Sequence, residues 1–363
     1  PVMFPQGDAL WYRWGGTKIG SYSPTNPVAM AAAGYKDTFE STVIANIDYS
    51  QKLDFITKGL SFKGLISFKN WSFSNAFRFQ GYNGYMLASP AKDANGNYNL
   101  TPIGGDPTKP ILSSNGSSMG DRRLYIQTYL NYDRSFGDHN VSAMALYNQD
   151  EATINNPGTD LVYSLPHRRQ GFAARATYDY AHRYVLEVNA GYNGSENFAK
   201  GHRWGFFPSI GVSWNVSKES FWKPLEKVVS NLKFRANYGL VGNDKTVGQR
   251  FIYLEDVVTS GNNHRPNFTT GYDGTYESRR GPGFTRYANP QITWEIGKKL
   301  NVGFDLQLFK SLSLTVDAFQ EIRSNIFQQK QTIPNYFGTA DAKIYGNLAK
   351  IKNWGLDIAL EYN

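Results

Sequence analysis

Few residues in this sequence have the types and spacing that an active site or a metal site requires. The five histidines are scattered, there is no cysteine, and no pair has the close spacing of zinc ligands. His139 and His182 are predicted to lie in tight turns. No Ser/His/Asp set or carboxylate pair can be argued from chain order. We therefore expect no enzyme, no metal and no cofactor.

Two glycine-containing runs could suggest ligand-binding loops. Asp93-Ala-Asn-Gly-Asn97 resembles the start of a calcium loop, but Tyr98 and Gly104 stand where an EF-hand needs Gly and Glu. The run is predicted to be a polar turn. Gly281-Pro-Gly283 is not framed by a strand and a helix, so it does not indicate a phosphate-binding loop.

Substrate binding is a stronger candidate, because two segments place aromatic rings beside amides or charges. Oligosaccharides stack on rings and hydrogen-bond to such polar groups, whereas peptides use apolar pockets and backbone pairing. The alternative is that these rings belong to an interfacial girdle or brace a loop. The candidate substrate-binding residues are Trp11, Tyr12, Trp14, Trp71, Asn75, Tyr82, Asn83 and Tyr85.

The elements that must position these residues are strands, because apolar residues fall on every second position over much of the chain. A clear case is the run Tyr184, Leu186, Val188, Ala190, Tyr192, with Glu187, Asn189, Gly191 and Asn193 interleaved. Period-2 alternation gives a strand one apolar and one polar face. Strands of about 9–11 residues are long enough to cross a bilayer at a tilt. The pattern predicts an all-β fold, a transmembrane antiparallel β-barrel.

About eleven such strands are predicted, which is half of a 22-strand barrel. The turns at Phe136–His139, Ala181–Arg183 and Lys310–Ser311 are short, and we expect them on the periplasmic side. The connections at 81–120 and 243–290 are long and are expected to be extracellular. Residues 1–37 are predicted to form a loop, and a short helix is predicted between Ser217 and Ser230.

Alternation also assigns the two faces of the wall. Leu186, Val188, Trp214, Phe234, Phe304 and Leu306 are predicted to face lipid. Charged residues are expected in the lumen, because Lys or Arg facing lipid at mid-depth costs roughly 2–4 kcal/mol. The lumen-facing set is Glu187, Arg235 and Asp305, with Lys63, Arg175, Lys233, Glu295 and Asp317, which we expect to be solvated or to hold a plug.

Composition is consistent with this fold. The chain has 363 residues, with 24 Tyr, 23 Phe and 8 Trp, which favours aromatic girdles at two membrane interfaces. The net charge of +8 is dispersed and no base-reading module is visible, so we expect no nucleic-acid partner.

Specific stretches resemble the SusC/RagA family of TonB-dependent outer-membrane transporters of Bacteroidota. The match is poor in the loops at 81–120 and 245–285. The matching stretches are Arg168–Tyr180, Arg183–Phe198, Gly205–Ser209, Trp214, Glu219–Trp222, Leu232–Asp244, Asn289–Glu295, Asn301–Leu306, Leu312–Asp317 and Asn347–Gly355, with Asn26-Pro27 and Gly34-Tyr35 near the start.

This resemblance implies a cell outer-membrane protein that imports oligosaccharides or peptides for nutrient uptake. It implies a 22-strand barrel with a plug domain, a SusD-like surface lipoprotein as lid, energy from the TonB complex, and dimers of transporter–lid pairs. Residues 1–363 would be a partial barrel domain, with the plug and both ends of the full protein absent. A passive porin or a surface adhesin on the same wall, or a soluble β-rich carbohydrate-binding protein, remain alternatives.

Overall fold

The computed structural model describes residues 3–8, 11–16, 26–103, 112–155, 161–246, 249–259, 267–272, 275–330 and 343–362. Most of these residues form strands, and eleven strands join in one sheet, as predicted. Their bounds are β3 Gly34–Lys52, β4 Leu60–Gln80, β7 Leu112–Phe136, β8 His139–Ile154, β9 His167–Tyr180, β10 Tyr184–Ser195, β11 Trp204–Asn215, β12 Val229–Asn243, β17 Glu295–Leu308, β18 Leu312–Gln329 and β19 Tyr345–Tyr362.

The large sheet is open, in the order β19-β18-β17-β12-β11-β10-β9-β8-β7-β4-β3. Each register given for its strand pairs is antiparallel. Neighbours in the sheet are neighbours in sequence, apart from small elements inserted between β4 and β7 and between β12 and β17. This meander is the architecture that the alternating pattern predicts.

The remaining elements are short and lie in three small sheets and four helices. One sheet has the order β1-β2-β5-β6, and two further sheets have two strands each, β13 with β16 and β14 with β15. The bounds are β1 Met3–Asp8, β2 Trp11–Gly15, α1 Pro27–Ala32, β5 Gly84–Lys92, β6 Tyr98–Ile103, α2 Leu161–Ser164, 3-10 helices Val216–Lys218 and Ser220–Leu225, β13 Asp256–Val258, β14 Asn267–Tyr272, β15 Thr275–Arg280 and β16 Gly283–Arg286.

The predicted loop at 1–37 and the predicted end of the 81–120 connection were wrong, whereas the long connection predicted from 243 is present and contains short strands. Residues 1–37 contain β1, β2 and α1, and β3 already begins at Gly34. The predicted connection 81–120 contains β5, β6 and the start of β7, and the 243–290 connection contains four short strands. At the start of β7, residues 113–118 are exposed and carry no apolar side chain, so backbone pairing is what holds them in a strand. The predicted helix after β11 is two 3-10 helices, beginning at Val216 and Ser220.

The start of α1 shows how a local signal positions an element. Asn26 is the N-cap, and its side-chain oxygen accepts hydrogen bonds from the backbone N–H groups of Val28 and Ala29. Pro27 occupies the first helical turn, where its missing N–H costs nothing. The Asn26 amide also donates to the Gly15 carbonyl at 2.7 Å, so the helix start is fixed to the end of β2.

The chain divides into two compact units. The first comprises Pro1–Val43, Lys69–Arg122 and Ile154–Asn156, and the second comprises Ile44–Phe68, Arg123–Thr153 and Pro157–Asn363. Strands β3, β4 and β7 contribute residues to both units, as does β8 through its last residue, Ile154.

Strand registers in the second unit confirm how the two faces divide. Directly opposite residues of neighbouring strands point to the same side. Leu186 lies opposite Tyr178 and Val212, and Phe234 lies opposite Trp214 and Phe304. We call this side the apolar face; all six residues predicted to face lipid lie on it. Glu187, Arg235 and Asp305 lie on the other side, the polar face, where Arg235 bonds Asp317 at 2.6 Å and approaches Asp305 at 3.4 Å.

The apolar face carries two rows of aromatic rings, one near each end of the strands. The turn-end row has ring centroids 4.9–6.5 Å apart and consists of His139, Tyr180, Tyr184, Trp214, Phe234 and Phe304. The loop-end row has ring centroids 4.7–6.2 Å apart and consists of Tyr147, Phe172, Tyr192 and Trp204. Between the rows the face presents aliphatic residues such as Leu186 and Val188.

The Glu219 carboxylate is hydrogen-bonded to two neighbouring rings of the turn-end row. The Tyr184 hydroxyl and the Trp214 indole N–H both donate to Glu219, which lies between the two 3-10 helices, at 2.5 and 3.1 Å. These two hydrogen bonds, with the nearby Arg183 guanidinium, hold the pKa of Glu219 below its ordinary value. These hydrogen bonds attach the connection after β11 to the middle of the turn-end row.

Candidate functional site

A polar cavity lies on the long-loop side of the sheet in the second unit. It consists of two adjoining pockets of about 510 and 270 Å³ that share Asp150, Arg169 and Asp244. Its wall comes from the last residues of β8, the first of β9 and the last of β10, and its rim comes from the segment after β12. Adjacent antiparallel strands bring these distant parts of the sequence together.

Arg250 fixes the connections around this cavity. Its side chain is only 6% exposed, and its guanidinium donates to the Glu196 carboxylate at 2.8 Å. It also donates to three backbone carbonyls, those of Val162, Leu165 and Pro166, at 2.6–2.9 Å. One buried cation therefore holds the β8–β9 connection against the end of β10. Because a buried guanidinium needs such partners, this arrangement is structural.

The carboxylates of the cavity are all recessed and all have hydrogen-bond partners. Asp150 accepts two hydrogen bonds from Arg123, at 2.6 and 2.7 Å, and Asp244 accepts one from the Ser195 hydroxyl at 2.8 Å. Glu196 bonds Arg250. Their side chains are only 18–21% exposed. These acids therefore present little accessible surface to a ligand in the cavity.

Other polar groups in the cavity lack such partners among the described residues. Arg169 is 70% exposed, and its nearest acid oxygen, on Asp244, is 3.9 Å away. The Lys245 ammonium and the Asn148 and Asn193 amides also line the cavity, and the described residues give them no side-chain hydrogen bond. A cavity with unpaired donors and acceptors has the capacity to bind a polar ligand.

Gly171 leaves the space in which the two amides meet. It lies between Asn148 and Asn193 in the sheet, directly opposite each of them. A Cβ atom on residue 171 would lie 2.5 Å from the Asn193 amide oxygen and 2.7 Å from that of Asn148. Any larger residue would push these amides away from the cavity wall.

A small apolar cluster supports the cavity from the loop side. Its buried members come from the β10–β11 and β12–β17 connections and the start of β19, and Trp294 also lines the cavity. The Trp294 indole N–H donates to the Arg203 carbonyl at 3.1 Å. The cluster consists of Phe198, Ile252, Ile292, Trp294 and Tyr345, with Phe207 and Phe327 packed against it. The long connections are thus packed together, which gives the cavity a fixed floor.

The residues singled out from the sequence for substrate binding lie in the first unit. Trp11, Tyr12 and Trp14 are on β2, and Trp14 and Gly15 pair with Gly84 and Tyr85 of β5 in parallel. The structure therefore brings the first predicted segment next to Tyr85 of the second in the four-stranded sheet. Tyr82 and Asn83 directly precede β5 and are half-buried.

Tyr85 is part of a small core in that sheet. It is 6% exposed, Phe4 on β1 is 3% exposed, and the Arg13 guanidinium lies 5.8 Å from the Tyr85 ring centroid. Buried rings of this kind stabilise the sheet, and they are not free to stack on a sugar without a rearrangement.

Trp71 and Asn75 lie on β4, apart from the segments on β2 and β5. The Trp71 indole N–H donates to Glu40 at 2.8 Å, and its ring stacks on Phe73 with centroids 6.3 Å apart. Asn75 accepts a hydrogen bond from the Ser117 backbone at 3.0 Å. The assignment of all eight residues to substrate stays a prediction.

Two other sequence predictions about local structure are confirmed. Asp93–Asn97 is the polar turn between β5 and β6, and Asp93 accepts backbone hydrogen bonds from Asn95 and Asn97 at 2.8 Å. His182 lies in the β9–β10 turn beside Asp179, and His139 follows the β7–β8 turn and contacts the Tyr178 hydroxyl at 2.7 Å. His264 lies outside the described residues.

Sequence reasoning did not identify the cavity residues as a site. The pair Arg168-Arg169, at the start of an alternating strand, was the available signal. The pair points to a site only once the register of β8, β9 and β10 is known, because that register places Arg169 on the polar face with Asp150 and Ser195.

Comparison with known proteins places the chain among relatives. A family model described as TonB dependent receptor-like, beta-barrel matches residues 5–363. A TonB-dependent receptor of Formosa agariphila is 24% identical over 396 aligned positions, covering 99% of this chain and 33% of that protein. The TonB-dependent receptor SusC of Bacteroides thetaiotaomicron is 26% identical over 201 positions, covering 55% of this chain and 19% of SusC.

Solved structures give the same fold. The RagAB peptide transporter aligns with a TM-score of 0.61 at 15% identity, covering 95% of this chain and 36% of that one. At that identity the likeness concerns the fold alone. Within the described ranges no helix has the length and hydropathy to span a membrane, a finding that has no bearing on spans made of strands. The chain spans a third or less of the length of the two TonB-dependent receptors that it matches in sequence, and it belongs to the TonB-dependent receptor β-barrel family.

Proposed function

We propose that this chain is part of the wall of an outer-membrane transporter that actively imports oligosaccharides or peptides. The observation that carries the proposal is the apolar face of the large sheet, bounded by two rows of aromatic rings. Such a face fits the hydrocarbon of a bilayer between its two interfaces. The opposite, polar face would line a water-filled or plugged lumen.

The spacing of the two rows agrees with a bilayer. Tyr184 and Tyr192 lie on the same face of β10, eight residues apart. With a rise of about 3.3 Å per residue, this is roughly 26 Å along the strand, or about 20 Å along the membrane normal at a tilt of about 40°. An outer-membrane barrel has an apolar band about 25 Å tall. The aromatic rows therefore lie where the interfaces are expected.

The two ends of the sheet differ, which suggests an orientation. The β7–β8, β9–β10 and β17–β18 turns have two or three residues, whereas two connections at the other end, β4–β7 and β12–β17, are long and contain further strands. Outer-membrane barrels have short periplasmic turns and long extracellular loops. In this orientation the polar cavity would open toward the outside, at the point where a substrate first enters the lumen.

Energy and partners follow from the family and are part of the same proposal. TonB-dependent receptors are named for their coupling to TonB, and relatives include SusC and RagAB, the latter described as a peptide transporter. We infer that the full-length protein works with a SusD-like surface lipoprotein as lid and forms dimers of such pairs. We assign the chain no enzymatic role, because the named relatives are receptors and a transporter.

Uptake by cells that carry the full-length protein tests this proposal. We expect cells to accumulate labelled oligosaccharide or peptide only when the TonB complex is intact, and to lose uptake when the TonB-contacting segment is deleted. Uptake that persists without TonB would instead identify a passive porin. Surface binding without uptake in either strain would identify an adhesin, and both results contradict active import.

A further inference from the structure

We propose that the polar cavity binds an anionic sugar unit, a carboxylate or a sulfate ester, of an acidic oligosaccharide. This assignment rests on the proposed import function and names the substrate class of that transporter. The cavity is the one formed by the two pockets that share Asp150, Arg169 and Asp244.

Two arginines of the cavity are more exposed than its acids, which favours an anionic ligand. The Arg168 and Arg169 side chains are 65% and 70% exposed, whereas the acids Asp150, Glu196 and Asp244 are 18–21% exposed. Each acid already accepts a hydrogen bond from a neighbouring side chain. The accessible charge at the cavity rim is therefore positive, although the lining contains both signs.

Two of the cations have donors to offer a ligand. Among the described residues, no acid oxygen lies closer to Arg169 than 3.9 Å, and none makes a hydrogen bond to the Lys245 ammonium. Arg168, in contrast, bonds Glu151 at 2.9 Å, and Arg250 is buried and fully bonded. A guanidinium presents a planar fork that matches the two oxygens of a carboxylate or sulfate. Arg169 and Lys245 are therefore the residues to which we assign the anion.

The rest of the lining suits a sugar better than a peptide. Among the described residues, the cavity is lined by no Ala, Val, Leu, Ile, Met, Phe or Pro side chain. Peptide side chains would need apolar pockets. The Asn148 and Asn193 amides and the Tyr125 ring instead lie beside the cations, where amides can donate to and accept from hydroxyl groups.

Calorimetric titration of the purified full-length receptor tests the assignment. The probes are tetragalacturonate, a sulfated galactan tetrasaccharide, neutral maltotetraose and tetraglutamate. The double variant Arg169→Gln/Lys245→Gln removes the two cations, and Arg279→Gln/Lys58→Gln is the matched control, since it removes the same charge outside the cavity lining. Arg169→Lys keeps the charge but removes the planar fork.

We expect at least one acidic tetrasaccharide to bind more tightly than maltotetraose, and its affinity to fall with added salt. The double variant should weaken that binding tenfold or more, Arg169→Lys should weaken it less, and the control should leave it unchanged. The preferred acidic probe distinguishes a carboxylate site from a sulfate site. Heat-resistant migration on gels establishes that the variants are folded.

Several results would overturn the assignment: equal affinity for acidic and neutral probes, no binding of either acidic sugar, unchanged affinity in the double variant, or binding of tetraglutamate alone. TonB-dependent uptake of a neutral sugar that the double variant leaves intact would contradict the assignment while import stands. Cavity-dependent binding without TonB-dependent uptake would contradict import while the assignment stands.

Discussion

Two regions of the molecule could bind a ligand, and they differ in how their polar and aromatic groups are used. In the four-stranded sheet β1-β2-β5-β6, one of the aromatic residues that suggest sugar binding, Tyr85, is only 6% exposed and packs in the core of that sheet. In the polar cavity, by contrast, the described residues give the Asn148 and Asn193 amides no side-chain hydrogen bond, and the nearest acid oxygen they offer Arg169 is 3.9 Å away. A binding site is therefore better recognised by hydrogen-bonding groups without close partners than by the number of aromatic rings in a segment.

The largest expected effect comes from Arg250, on which the architecture around the cavity depends. Arg250→Met removes its bonds to three carbonyls and leaves Glu196 without its main partner. Breaking a buried pair in this way costs about 3–5 kcal/mol. Hydrogen–deuterium exchange of residues 161–168 and 195–198 should accelerate by about 100-fold or more, since 1.4 kcal/mol is a factor of ten.

Arg279→Met is the control for this experiment. Arg279 pairs with Glu277 on the β14–β15 hairpin, and both side chains are more than 60% exposed. Exposed pairs contribute little, so the same exchange measurement should change by less than threefold. Unaltered exchange around the cavity in Arg250→Met would show that the long connections are held by the apolar cluster alone.

Tyr85 tests the other side of the comparison. Tyr85→Ala removes a buried ring that contacts Arg13, and large-to-small changes of this kind cost about 3 kcal/mol. Tyr85→Phe keeps the ring and should cost much less. The expected result is faster exchange in β1 and β6 for Tyr85→Ala only. Loss of sugar affinity in Tyr85→Ala with unchanged exchange would instead support the binding site predicted from the sequence.

The sequence predicted the faces of the wall because alternation is a local property. In β10, each apolar residue from Leu186 to Tyr192 shares the face that the register later defines. Strand ends were predicted less well, since β7 begins with exposed residues that, from Ser113 to Ser118, carry no apolar side chain. Their strand conformation depends on pairing with a neighbour, and pairing is a long-range property.

The polar cavity could not be predicted for a related reason. Asn148, Gly171 and Asn193 lie on three strands and meet only through the register. Arg250 lies far along the chain, in a connection where no periodicity constrains it. The role of Gly171 likewise depends on the two amides beside it, which the surrounding sequence does not reveal.

The division into an apolar and a polar face can be tested within the wall that supports the cavity. Val188 lies midway between the two aromatic rows on β10 and is 43% exposed on the apolar face. Val188→Arg should destabilise the full-length protein in lipid vesicles by at least about 2 kcal/mol, the cost of a cation near the bilayer centre. The measurement is the urea concentration at which half of the protein has lost the heat-resistant migration of the folded barrel on gels.

Asn237→Arg is the matched control, because Asn237 lies opposite Gly211 on the polar face. It should leave the urea midpoint nearly unchanged if that face lines an aqueous lumen. Equal destabilisation by both substitutions would contradict the assignment of the two faces, and with it the idea that the cavity lies at the entrance of the lumen.

The smallest expected effect concerns the turn at the end of the four-stranded sheet. Hydrogen bonds from the backbone and side chain of Asn97, and from the Asn95 N–H, lower the pKa of Asp93 below its ordinary value of 3.8. The ionised carboxylate therefore stabilises the turn above pH 3.8, and this contribution is lost as the pH falls through the lowered pKa. Amide exchange at Asn95 and Asn97 should show a modest loss of protection there, after correction for the intrinsic pH dependence. Asp93→Asn should remove the pH dependence, whereas calcium or a chelator should change nothing. A calcium-dependent gain in protection would show that this turn is a ligand site after all, and that the two regions differ less than their geometry indicates.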